Sequence, residues 1–142
     1  MRRDFNKVER DWASLGAAFA IPLVELNPDV DPEQLICDIL SAIPEHPRYA
    51  PLFVVWVKKF KSMIDLRRLQ SMLSDLPQEQ ADLFRALEHV GDQNVNLMNL
   101  GPRLSEIVMR AHNQRLLPLA ESKIKPFANV VSFNRHFSSR YS

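Results

Sequence analysis

Three glycines and one cysteine are the scarcest residues of this 142-residue chain, and each scarcity excludes a class of structure or chemistry. Glycine makes up about 7% of an average sequence and supplies the positive-φ positions of tight hairpin turns. With only Gly16, Gly91 and Gly101 present, a sheet built on glycine turns is not expected. A glycine-rich phosphate loop is excluded outright. The lone Cys37 permits no internal disulfide and no cysteine-rich zinc site. Long hydrophobic runs are also missing. The longest, Leu52 to Val57, falls far short of the ~20 residues that span a bilayer. Two arginines near the N-terminus are not followed by an apolar signal segment. No membrane association is expected, and a cytoplasmic location is the default. A surplus of charge is missing too. The net charge is +1, so no global field draws the protein towards nucleic acid or lipid.

Catalytic signatures are equally sparse. The four histidines, His46, His89, His112 and His136, stand in separate segments without metal-ligand spacing. No serine occupies a nucleophile elbow. Cys37 precedes Asp38 and lies one helix-length from His46. A nucleophilic pair is conceivable there, yet nothing nearby would form the thiolate, and a structural cysteine is the plainer reading. No enzyme activity, metal or cofactor is expected.

What the sequence has is proline, ten in all, placed at the joints of apolar periodic segments. Proline suits the first turn of a helix and breaks a helix interior. The chain therefore reads as all-α: a single domain over 1–142, with six to eight short helices in an irregular orthogonal bundle and a tail that frays from about residue 132. Phe5, Val8, Trp12, Leu15 and Phe19 make one narrow apolar stripe, on a helix expected to end near Ile21-Pro22. The stripe belongs in the domain's own core or in a seam with a partner helix or second copy, since its spacing is that of a coiled coil. Asp31-Pro32 is a strong helix start, with Gln34 placed to reach back as in a capping box. Leu35, Ile36, Ile39, Leu40 and Ile43 form the buried face of that helix. The segment from Pro51 to Ile64 is the expected centre of the core, with Phe53, Trp56, Val57, Phe60, Met63 and Ile64 at helical spacing. Asp65 caps the next helix, carrying Leu66, Leu69, Met72, Leu73 and Leu76. Pro77 and Gly101-Pro102 open two more, and Pro118 and Pro126 divide the remainder.

Charge is segregated although the total is near zero. Glu25, Asp29, Asp31, Glu33, Asp38 and Glu45 fall in a stretch without lysine or arginine. Lys58, Lys59, Lys61, Arg67 and Arg68 then surround the single acid Asp65. Lys123, Lys125, Arg135 and Arg140 alternate with Phe127, Phe133, Phe137 and Tyr141 near the C-terminus. The Lys58–Arg68 corner is compatible with a helix-turn-helix unit, and the tail has the composition for backbone contact plus base stacking. Both also suit solvated faces of a helical bundle. Two functions follow as expectations. The first is a non-enzymatic helical interaction or regulatory module that binds a protein partner or itself. The second is a nucleic-acid-binding accessory protein that uses the basic corner and the tail.

Overall fold

A computed structural model describes residues 2–17, 19, 29–90, 97, 100–112 and 116–124. Seven α-helices follow one another along the described chain: α1 Arg2–Ser14, α2 Pro32–Ala42, α3 Tyr49–Phe60, α4 Leu66–Ser74, α5 Gln78–Glu88, α6 Pro102–His112 and α7 Leu116–Glu121. A 3-10 turn, Lys61–Met63, links α3 to α4. No strand is found among the described residues, so the protein is all-α. The sole extended pairing described is an isolated antiparallel bridge between Ala17 and Ile124.

The prolines sit where helix starts tolerate them. Pro32 is the first residue of α2 and Pro102 the first of α6. Pro51 and Pro118 are third in α3 and α7, still within the first turn, where a backbone N–H has no intrahelical partner to lose. The Asp31 cap forms as its sequence implies, with the carboxylate accepting from the Glu33 and Gln34 amides at 3.1 and 3.3 Å. Gln34 does not reach back; its amide donates to Asp38 instead. Asp65 caps α4 by accepting from the Arg68 amide at 3.0 Å.

The first helix differs from expectation. It ends at Ser14, well before Ile21-Pro22, which lie outside the described residues. The Ser14 hydroxyl bonds back to the Arg10 carbonyl at 2.9 Å, competing with the helical ladder. Gly16 then adopts a φ of 114°, a conformation that an L side chain resists. Leu15 and Phe19 therefore leave the helix but keep inward positions. Leu15 is fully buried, and the Phe19 ring lies 5.6 Å from that of Trp12.

Helix α3 is the centre of the molecule, packed against α5, α6 and α7. Trp56 and Phe60 are both 0% exposed. Around them runs a chain of tilted and edge-on rings: Trp12 to Trp56 at 6.0 Å, Trp56 to Phe53 at 6.3 Å, Phe53 to Phe84 at 6.1 Å. Such pairs add about 0.5–1.5 kcal/mol each beyond burial. The chain of rings joins α1, α3 and α5 into one core. Of the apolar residues that α4 carries, Leu66 is 39% exposed. It is the first residue of α4, whereas Leu69 and Leu73 are buried.

Candidate functional site

Val8, Trp12 and Leu15 of the apolar stripe are buried in the chain's own core. Phe5 lies in α1, and its side chain is outside what the structure describes. The Trp12 indole Nε1 is buried with no hydrogen-bond partner among the described residues.

The basic corner between α3 and α4 is less free than its sequence suggests. Arg68 reaches across to the start of α2. Its guanidinium donates to both Asp31 oxygens at 2.6 and 2.5 Å and to Glu33 Oε1 at 2.8 Å. Glu33 is fully buried, and its second oxygen accepts from the Asp65 amide at 3.4 Å. The knot ties the N-terminus of α2 to that of α4. It holds the Asp31 carboxyl below its ordinary range, chiefly through the Arg68 hydrogen bonds, and pushes the Arg68 guanidinium up. Lys58 donates to the Val90 carbonyl at 2.6 Å, just past the end of α5, and Lys61 lies 4.0 Å from Glu88. Lys59 and Arg67 are exposed without an ion pair among the described residues. Of the tail cations, Lys123 is described and exposed, whereas Lys125, Arg135 and Arg140 lie outside the described residues.

A groove of about 570 Å³ opens between α1, α3, α6 and α7. Sites for small ligands span ~300–1,000 Å³. Its apolar surface comes from Phe19, Pro47, Pro51, Leu52, Leu119 and Ala120. Leu119 is the most exposed of the large hydrophobic side chains described, at 64%. Among the described residues, four charged side chains line the same space: Glu9, Arg48, Arg110 and Lys123.

Glu9 and Tyr49 set the groove's polar geometry. The Tyr49 hydroxyl donates to Glu9 Oε2 at 2.9 Å, and an Arg48 nitrogen lies 4.0 Å from the same oxygen. Arg48 also covers the Tyr49 ring, 5.7 Å from its centroid, while His46 stacks on that ring at 5.1 Å. Burial, aided by the Glu9 carboxylate, pushes the Tyr49 hydroxyl up to about 12. The hydroxyl therefore stays protonated and acts as a donor. Arg48 answers the charge of Glu9. Arg110 and Lys123 have neither ion pair nor hydrogen bond among the described residues.

Neither serine nor cysteine lines the groove among those residues. Cys37 is buried elsewhere, in α2, and burial pushes its thiol up to about 11. No group of three potential metal ligands is found among the described residues. None of the described helices is long and apolar enough to cross a membrane. Sequence reasoning singled out Phe19 and Lys123 but missed Glu9, Arg48, Tyr49, Arg110 and Leu119. These residues come from four segments, and no local periodicity links them. Comparison with protein-family models, curated proteins and solved structures returns no match for this chain.

Proposed function

We propose that this chain is a non-enzymatic helical interaction module that seats a segment of a protein partner in the groove between α1, α3, α6 and α7. The supporting observation is Leu119, 64% exposed on the wall of a 570 Å³ groove that also offers Leu52 and Phe19. An exposed leucine beside a concave apolar floor favours a ligand that brings apolar side chains of its own. The nucleic-acid reading finds less support, because Arg68, Lys58 and Lys61 already face acceptors within the chain.

The test is a selection from a displayed library of random twelve-residue peptides. Selected peptides should bind the parent protein and lose at least tenfold in affinity against Leu119→Asp, whose circular dichroism should match the parent. A selection without binders, or with binders indifferent to Leu119, would reject the groove as a docking site. Micromolar binding to duplex DNA, steeply dependent on salt and abolished by Lys59→Glu with Arg67→Glu, would favour the basic corner instead.

A further inference from the structure

We infer that the groove selects acidic peptides: a short segment with leucine-sized side chains flanked by Asp or Glu. This inference rests on the docking reading above and adds the chemistry of the partner. The argument is one of charge complementarity. Glu9 is the only acid among the described lining residues, and its oxygen is already approached by the Tyr49 hydroxyl and by Arg48. Arg110 and Lys123, from α6 and from the residues just past α7, line the same groove as the exposed Leu119 and have no ion pair or hydrogen bond among the described residues.

Both cations are solvated while the groove is open, so neither costs anything there. A ligand that covers Leu119 and fills the groove strips water from Arg110 and Lys123. Removing a charge from water without supplying a partner is unfavourable. An apolar peptide without acids must leave that cost unmet, and a basic one adds repulsion. A peptide with a carboxylate at each side meets Arg110 and Lys123 with charge-assisted hydrogen bonds. The Arg110 guanidinium can take a carboxylate by two parallel bonds, whereas the Lys123 ammonium acts as a point charge. Selection is therefore by penalty as much as by attraction.

The experiment is a polarisation titration with three fluorescein-labelled decapeptides that share the same leucines. One carries aspartates between them, the second asparagines and the third lysines. The aspartate peptide should bind at least tenfold tighter than the asparagine peptide and should weaken severalfold as salt rises from 50 to 500 mM. Against the double variant Arg110→Glu with Lys123→Glu, with unchanged circular dichroism, the order should invert in favour of the lysine peptide. Equal binding of the aspartate and asparagine peptides, abolished by Leu119→Asp, would overturn the charge selection and leave the docking reading standing. No binding of any of the three at 100 µM would overturn the inference, and the random library would then decide the docking reading separately. A concentration-dependent dimer in sedimentation, lost in the Arg110→Glu and Lys123→Glu variant, would also overturn it, because a second copy would then be the occupant.

Discussion

The indole Nε1 of Trp56 donates to the main-chain carbonyl of Leu15 at 2.9 Å, in full burial. The bond fastens the turn after α1 to the middle of α3. It also satisfies a carbonyl just past the end of a helix, where the ladder supplies no partner. Trp56→Ala should cost about 3–5 kcal/mol through lost burial and a cavity. Trp56→Phe keeps most of the packing but orphans the Leu15 carbonyl, for about 1–3 kcal/mol. Urea denaturation of both variants checks the values and their order. A Trp56→Ala midpoint equal to the parent's would contradict the core assignment.

Arg67 and Arg68 are neighbours in sequence and opposites in role. Arg67 is exposed without a partner among the described residues, so Arg67→Glu should change stability by no more than about 0.5 kcal/mol. Arg68→Glu places a third carboxylate against Asp31 and the buried Glu33. Loss of one member of a buried pair costs about 3–5 kcal/mol. Arg68 itself is 44% exposed, so water offsets part of that, and about 2–4 kcal/mol is expected. Parallel thermal melts of the two variants make the comparison.

Acid should weaken the protein through Asp31. Its folded carboxyl lies below the ordinary value of 3.8 because of Arg68. Its contribution is therefore complete above about pH 4 and is lost as the pH falls through the folded value. Asp38 works in the opposite sense, because burial raises its carboxyl. The folded state takes up that proton first, so this opposing contribution fades as the pH falls from neutral. Asp31→Asn preserves the helix cap and should flatten the loss of stability below about pH 4. Asp38→Asn should flatten the change above it. Urea midpoints measured from pH 7 to pH 2 give both limbs.

Gly16→Ala should be destabilising although alanine is the better helix former. The φ of 114° at Gly16 is open to glycine and strained for any side chain. A cost of about 1–3 kcal/mol is expected, read as a drop in melting temperature. No change would mean that the turn relaxes without disturbing Leu15.

Capping residues and periodic apolar faces were readable because they depend on neighbours three or four positions apart. Asp31-Pro32, Asp65 and the buried faces of α2 and α3 form as the sequence implies. The premature end of α1 was hidden, since Val8, Trp12, Leu15 and Phe19 keep their spacing while two of them leave the helix. The basic corner misled for a related reason: five cations within Lys58–Arg68 are visible locally, whereas the acceptors Asp31, Glu33, Glu88 and Val90 are not. The groove was invisible in principle, because Glu9, Tyr49, Arg110 and Leu119 meet through tertiary packing alone.

The pairing of Ala17 with Ile124 joins the turn after α1 to the residues just past α7. Glu9 and Phe19, from α1 and the segment after it, and Leu119 and Lys123, from α7 and the residues just past it, thus line one groove although they lie far apart in sequence. A nascent chain carries α1 to α6 before α7 has been made, and a chain clipped between α6 and α7 loses one wall. Neither presents the complete groove. A ligand docked there as proposed would need both α1 and α7 in place, and by mass action it would favour the native state by about 2.7 kcal/mol at a hundredfold excess over its dissociation constant. Occupancy and integrity of the fold then become a single quantity, readable as one melting temperature that climbs with ligand concentration.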